Sequence, residues 1–112
     1  MEFDPNKPIY LQIIDSICDR ILSGELKAED KILSVRELGT EIGVNPNTVA
    51  RSYEKMTDSG IIYTKRGLGY FVTPGARDIV LDSARKSFLE NEVPKFLRRL
   101  ELLGIDKNEI FK

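Results

Sequence analysis

The chain has 112 residues, 41% of them hydrophobic and 31% charged, and its formal net charge is −1. It contains no histidine and a single cysteine, Cys18, which excludes histidine-based zinc sites, nucleophile–histidine catalysis and an intrachain disulfide. No apolar run approaches the roughly 20 residues of a membrane span, and the acidic amino terminus is unlike a signal peptide. We therefore expect a cytoplasmic protein that is not an enzyme, needs no cofactor and makes no contact with a membrane.

The first predicted element is an amphipathic helix over residues 8–23. Pro8 suits its first position, because the N–H that proline lacks would be unpaired there. Gly24 supplies a left-handed stop. The inward stripe consists of isoleucines at helical spacing, namely Ile9, Ile13, Ile14, Ile17 and Ile21. A connector over residues 26–33 follows, and we predict a short edge strand at residues 31–33.

Two short helices come next, separated by little more than one residue. The second helix begins at Ser34, whose hydroxyl and the carboxylate of Glu37 fit a capping box. The third helix begins at Asn45, which is a favourable cap, with Pro46 in the first helical position. Its predicted inner stripe consists of Val49, Tyr53 and Met56. Gly60 ends it.

A hairpin follows the third helix. Residues 61–64 and 70–73 are β-branched and aromatic runs joined through Gly67 and Gly69, which predicts two antiparallel strands. Helix, turn, helix and hairpin in this order form a winged helix-turn-helix. The predicted fold class is therefore mostly α with a small β-hairpin (α+β).

The remaining chain predicts more helix. Pro74-Gly75 breaks the chain, helical patterns cover residues 76–92 and 94–103, and Pro94 between them is expected to reset the direction. Asp106, with Glu109 three residues later, predicts a last capped turn. We divide the chain into a winged helix-turn-helix DNA-binding domain (1–74) and a helical dimerisation tail (75–112).

One face of the third helix has the residue types that read DNA. At 100° per residue, Asn47, Arg51 and Lys55 form a polar row nearly opposite the inner stripe. Arginine fits the guanine O6/N7 edge and asparagine the adenine N6/N7 edge. We also expect free N–H groups at Asn47 and Thr48 to attract a phosphate at the helix start. This row is the predicted recognition surface.

The wing and the second helix add positive charge. Lys65 and Arg66 stand beside Gly67, which lets the loop tip approach a sugar-phosphate backbone closely. Arg36, in the first turn of the second helix, adds an anchor. The net charge argues mildly against nucleic acid, but the position of these cations matters more than the sum. The full predicted contact set is Ser34, Arg36, Asn45, Asn47, Thr48, Arg51, Lys55, Lys65, Arg66 and Gly67.

Each of these features also has an ordinary structural explanation. Asn45-Pro46 opens helices in any protein, a Lys-Arg-Gly loop is a common solvated hairpin tip, and a polar row is the usual wet side of an amphipathic helix. Their coincidence in one small fold favours DNA contact. The alternative is a winged helix that docks another protein without reading DNA.

At these residues the sequence resembles the GntR family of bacterial transcription regulators. The matching strings are PIYLQI (8–13), SVREL (34–38), GVNPNTV (43–49), RSY (51–53), GI (60–61) and RGLGYFV (66–72). The resemblance implies double-stranded DNA as the partner, met by Arg36, Asn47, Thr48, Arg51 and the wing at Arg66-Gly67. There are two departures. Leu33 replaces a usual proline, which would loosen the connector, and Gly39 replaces a usual alanine, which would cost the helix about 1 kcal/mol.

The short tail is similar to the YtrA-type branch, whose members are small homodimers. Segments under about 40 residues rarely bury enough surface to fold unaided. We therefore predict pairing with a second copy through Ile79, Val80, Phe88, Phe96, Leu97, Leu100 and Leu103. The alternative is a cap on the chain's own winged domain. Pairing predicts a roughly palindromic operator, and we expect a repressor. An effector of unknown identity is expected at the dimer interface or at the hinge, Pro74-Gly75.

Overall fold

The computed structural model describes residues 1–111. These residues form five α-helices and two strands: α1 (Ile9–Leu22), α2 (Val35–Ile42), α3 (Pro46–Asp58), β1 (Ile62–Lys65), β2 (Gly69–Val72), α4 (Ala76–Ser87) and α5 (Val93–Leu103). This is an α+β winged helix, which confirms the predicted fold class. A compact unit spans Met1–Val80, and a second begins at Leu81. The functional division at residue 74 stays a prediction.

Helix α1 supplies one wall of the core through Ile13, Ile17 and Ile21, each no more than 5% exposed. Pro8 is the residue before the helix, with φ −53° and ψ 135°, so the prediction that it is the first helical residue was wrong by one position. Its extended ψ makes it a cap. Gly24 has φ +86° and provides the expected left-handed stop.

Helix α2 begins with the predicted capping box. The Glu37 N–H donates to Ser34 Oγ at 3.1 Å, and the Ser34 N–H donates to Glu37 Oε1 at 3.0 Å. Gly39 is buried where α2 meets the turn into α3, and a Cβ there would lie 2.7 Å from the Val44 carbonyl oxygen. Gly39 therefore permits this close approach, while the propensity cost that the sequence predicts for α2 stays a prediction.

Helix α3 fills the centre of the winged unit. Val49, Tyr53 and Met56 are buried, which confirms the predicted inner stripe. The Tyr53 hydroxyl donates to the Leu33 carbonyl at 2.6 Å. This bond ties the connector to α3 at Leu33, and the loosening expected there from the missing proline stays a prediction. The Tyr53 ring also meets Tyr70 of β2 edge-on, with centroids 4.8 Å apart.

The wing is the antiparallel pair β1–β2, in a register that opposes Ile62 to Val72 and Lys65 to Gly69. The strand predicted at residues 31–33 is reduced to one isolated bridge, between Lys31 and Phe71. The connector makes further backbone hydrogen bonds to β2, since the Ile32 N–H donates to the Tyr70 carbonyl and the Val72 N–H donates to the Asp30 carbonyl. The cap of α2 follows at Ser34, which leaves little extended chain for a third strand.

In the tail, a π-helical turn (Phe88–Glu92) joins α4 to α5. The expectation that Pro94 resets the direction was wrong, since Glu92 and Val93 keep helical backbone angles. Proline lacks the N–H for the carbonyl four residues earlier and clashes with it, which the wider turn relieves. Asp106 caps a final 3₁₀ turn (Lys107–Glu109) as predicted. No helix in residues 1–111 is long and apolar enough to cross a membrane.

Candidate nucleic-acid interface

The outward face of α3 presents the predicted polar row. Asn47, Arg51 and Lys55 are all exposed, while Val49 and Tyr53 on the other side of the helix are at most 1% exposed. The row starts in the first turn of α3, the part of a recognition helix that reaches base edges. Packing of the inner stripe therefore leaves this row facing solvent.

Arg51 does not extend freely into solvent. Its guanidinium carbon lies 3.8 Å from the centre of the Tyr10 ring, and Lys55 Nζ lies 5.8 Å from the same centre. Among residues 1–111 there is no ion pair to Arg51. Its full charge is therefore available on the outward face. Sequence reasoning missed Tyr10, because the helical pattern of α1 does not show which of its side chains contact α3.

The start of α3 differs from expectation. The Asn47 N–H donates to Asn45 Oδ1 at 2.8 Å, and the Thr48 N–H donates to the Asn45 carbonyl at 3.0 Å. Pro46 has no N–H to offer. The prediction of free N–H groups at Asn47 and Thr48 was therefore wrong, because the cap that starts the helix also satisfies them. Asn45 has a structural role here, and Thr48 is half-buried.

The start of α2 presents Arg36, which is exposed. Ser34 beside it is half-buried, and its hydroxyl oxygen accepts the Glu37 N–H. Hydrogen bonds to the Glu37 carboxylate, from the Ser34 backbone N–H first and from the Ser34 side chain second, hold the pKa of Glu37 below its ordinary value of 4.5. Glu37 is therefore charged at neutral pH. It fixes the helix end from which Arg36 projects.

At the wing, Arg66 and Gly67 form an exposed tip, and Gly67 has φ +78° with no other group within 4 Å of a built Cβ. Lys65 is less free than predicted. Its Nζ lies 3.6 Å from Glu29 Oε2 and 4.5 Å from the centre of the Phe71 ring. One of the two predicted wing cations is therefore already paired with a carboxylate.

Glu29 is the second residue that sequence reasoning missed. It has φ +72°, the only positive value for a non-glycine residue among residues 1–111. Its N–H donates to the Val72 carbonyl at 2.8 Å, and its carboxylate accepts from the Tyr63 hydroxyl at 2.7 Å. That hydrogen bond is the main reason why the pKa of Tyr63 is raised. Glu29 thus clamps the connector to the base of the wing.

The described residues offer few groups that could support catalysis or bind a metal ion. Cys18 is half-buried against the core, and burial, with smaller contributions from Asp15 and Asp19, raises its thiol pKa to about 11. A protonated thiol is a poor nucleophile and a poor metal ligand. Among residues 1–111, no group of three His, Cys, Asp or Glu side chains could hold a metal ion.

Comparison with known proteins agrees with this geometry. The model of the bacterial regulatory proteins of the gntR family matches residues 9–72, from the start of α1 to the end of the wing. The chain belongs to the GntR family. Its relatives are named as transcriptional regulators and repressors, which are DNA-binding proteins and not enzymes.

Two GntR relatives from Bacillus subtilis (strain 168) match nearly the whole chain. The HTH-type transcriptional regulator YhcF is 37% identical over 99% of this chain and 90% of its own length. The HTH-type transcriptional repressor YtrA is 31% identical over 98% of this chain and 85% of its own length. The likeness therefore includes the tail, and it supports the resemblance to the YtrA-type branch.

Two solved GntR structures extend the comparison. A GntR family transcriptional regulator from Listeria monocytogenes is 38% identical, with a TM-score of 0.76, and the match covers 96% of this chain and 93% of that one. The DNA-binding domain of AraR in complex with operator ORX1 is 26% identical, with a TM-score of 0.59. That match covers 65% of this chain and 93% of the AraR chain.

The predicted dimerisation residues of the tail lie in two different environments. Val80 belongs to the core of the first unit at 4% exposure, and Leu100 is 5% exposed, so neither is available to a partner. For Val80 the intrachain alternative applies. Leu97 is half-buried. The exposed members of the predicted set, at 41% to 57%, are Ile79, Phe88, Phe96 and Leu103.

Proposed function

We propose that this chain is a homodimeric transcriptional repressor of the cytoplasm that reads a palindromic operator with α3 and the wing. The observation that supports this best is the exposed row of Asn47, Arg51 and Lys55, in which Arg51 has no acidic partner among residues 1–111. The second helix of a helix-turn-helix enters the major groove, and an exposed arginine on it can make a bidentate contact with guanine.

The contacts divide into two kinds. Asn47 and Arg51 reach base edges and supply sequence preference, whereas Arg36, Lys55 and Arg66 meet phosphates and supply affinity that falls with salt. Lys65 contributes less, because Glu29 already pairs with it. Ser34 and Asn45 act through the helix caps that they form. The operator complex of AraR supports this role for the shared domain.

The homodimer is supported by the tail. Phe96 and Leu103 are seven residues apart on α5, hence on one face, and both are about half exposed. Exposed apolar side chains that cluster in this way mark an interaction surface. A second copy is the partner that buries the same face twice, and two-fold symmetry then presents two copies of α3 to two half-sites. Phe88 and Leu97, in the same unit as α5, belong to this proposed surface.

We place any small-molecule effector near the hinge. A cavity of about 240 Å³ lies beside residues 73–78, with Leu26, Val72 and Arg77 in its lining. Thr73, also in the lining, has a buried hydroxyl without a hydrogen-bond partner among residues 1–111. The volume is below the roughly 300 Å³ of a typical ligand site, so only a small ligand fits.

The test is selection of bound duplexes from a random pool with the purified protein, followed by titration of the enriched site. Enriched sequences should be palindromic, with half-sites about one helical turn apart. Arg51→Ala should weaken binding by about 1–3 kcal/mol per half-site and relax the base preference at one position. Lys27→Ala, which removes the same charge from the connector, is the matched control and should change the base preference at no position.

The rival function is a winged helix that docks another protein. It predicts that no duplex is enriched at low ionic strength, where nucleic-acid binding is strongest. It also predicts that Arg51→Ala and Lys27→Ala behave alike. Enrichment of a palindrome, together with a specific effect of Arg51→Ala, would exclude it.

A further inference from the structure

Tyr10 lies outside every predicted contact, yet it touches the centre of the recognition row. It is the second residue of α1 and is half-buried. Its ring centre is 3.8 Å from the Arg51 guanidinium carbon, which is van der Waals distance. A guanidinium over an aromatic face at this distance is a cation–π contact.

The backbone of Tyr10 is held against α3. The Ser52 hydroxyl, which is buried, donates to the Tyr10 carbonyl at 2.8 Å and to the Thr48 carbonyl at 3.3 Å. These bonds fix the start of α1 against the first two turns of α3. The position of the Tyr10 backbone relative to α3 is therefore set within the folded unit, before any DNA arrives, and this places the Tyr10 ring beside Arg51.

A free arginine on a helix surface samples many rotamers, and a complex must pay to select one of them. Ordering one long side chain at an interface lowers the affinity appreciably. A neighbouring residue that orders the side chain before binding removes this cost. A guanidinium that lies flat on an aromatic ring keeps its donor edge open, because the ring covers only one of its faces.

We propose that Tyr10 is a positioning residue for DNA reading: its ring holds the Arg51 guanidinium in a preset orientation on the outward face of α3. This inference rests on the proposed function, since it assigns Tyr10 a role through Arg51. Tyr10 contributes base preference without touching a base. It adds no charge, so it does not contribute to the salt dependence of binding.

The first experiment uses the free protein. Nuclear relaxation of the Arg51 Nε–Hε group measures its order, compared between wild type, Tyr10→Phe and Tyr10→Leu. Tyr10→Phe keeps the π face and should keep the order parameter, whereas Tyr10→Leu should lower it. Tyr10→Met, which is unbranched and a strong helix former, serves if the leucine variant unfolds. An order parameter equal in all variants would overturn the proposal without reference to DNA.

The second experiment measures binding to the selected operator and to an operator altered at the base that Arg51 reads. Tyr10→Leu should weaken operator binding about two- to tenfold for each recognition helix, narrow the gap between the two duplexes and leave the salt slope unchanged. In an Arg51→Ala background, Tyr10→Leu should have no further effect.

The outcomes separate the two proposals. If Arg51→Ala impairs reading and Tyr10→Leu does not, the positioning role is wrong and the proposed function stands. If Tyr10→Leu has the same effect with and without Arg51, Tyr10 acts through general packing, which also contradicts the proposal. If Arg51→Ala leaves base preference intact, the reading role of Arg51 fails, and the role of Tyr10 fails with it.

Discussion

The winged unit and the tail differ in where they leave their apolar side chains. In Met1–Val80 these side chains close into one cluster, with Ile13, Val49 and Tyr53 at 1% exposure or less. In the tail the large apolar side chains that are 44% to 66% exposed are Phe88, Leu89, Phe96, Leu102, Leu103, Ile110 and Phe111. The first unit is complete by itself, and the second offers a surface that needs covering.

This difference suits the two parts of the chain to different roles. A unit with its own filled core can present charged and polar side chains outward, as α3 and the wing do. A helical tail of this size gains stability mainly by burying its apolar face against a partner. The comparison therefore supports our proposal that the first unit reads DNA and that the exposed face of the tail pairs with a second copy.

The largest expected effect is in the tail. Phe96→Asp places a charge on the proposed pairing face and should weaken self-association by at least about 30-fold, the effect of losing one hot-spot residue. Sedimentation velocity over a range of concentrations measures it. Leu68→Asp is the matched control, because Leu68 is 60% exposed but lies in the wing. A wild-type chain that stays monomeric throughout, or an equal effect of both variants, would contradict the assignment.

The next effect tests how closely the winged unit is packed. Gly39→Ala gains about 1 kcal/mol of helix propensity, but its Cβ meets the Val44 carbonyl at 2.7 Å. We expect a net loss of about 1–3 kcal/mol, as for other overpacked sites. Urea unfolding measures it, with Thr40→Ala, on the exposed side of α2, as the control. A stabilised Gly39→Ala variant would show that α2 and the turn can separate without cost.

A smaller effect sharpens the picture of the wing. Glu29→Gln removes the carboxylate that pairs with Lys65 at 3.6 Å. The released lysine can meet a phosphate, so operator affinity at low salt should rise about two- to fivefold, with a steeper salt slope. Glu25→Gln, which unpairs Arg20 of α1, is the control and should leave the slope unchanged. Weaker binding by Glu29→Gln would show that the clamp positions the wing instead.

The smallest effect concerns the cap of α2. Hydrogen bonds from Ser34 lower the pKa of Glu37 in the folded chain below 4.5, so its charged form stabilises the fold. That contribution is complete above the unfolded pKa and is lost as the pH falls through the folded value. Glu37→Gln keeps an acceptor but has no charge. Its melting temperature should lie below that of wild type at neutral pH and converge with it as the pH falls through the folded pKa of Glu37, which lies below 4.5. A constant difference would exclude a role for the charge.

Local rules predicted most of the elements. The Ser34–Glu37 capping box, the Asn45 cap and the Asp106 cap all form, because each depends on residues within one turn of one another. The inner stripe of α3 follows from helical period alone, and so does the outward row from Asn47 to Lys55. Composition and spacing were therefore sufficient for the order of elements and for the exposed face of α3.

Tertiary structure decided what those faces do. The contact of Tyr10 with Arg51 joins residues 41 positions apart, and that of Glu29 with Lys65 joins residues 36 apart. No local pattern encodes these distances, since they exist only after the core has fixed α1, α3 and the wing against one another. By itself the sequence determined which side chains α3 presents, while packing determined which of them are held, paired or left free.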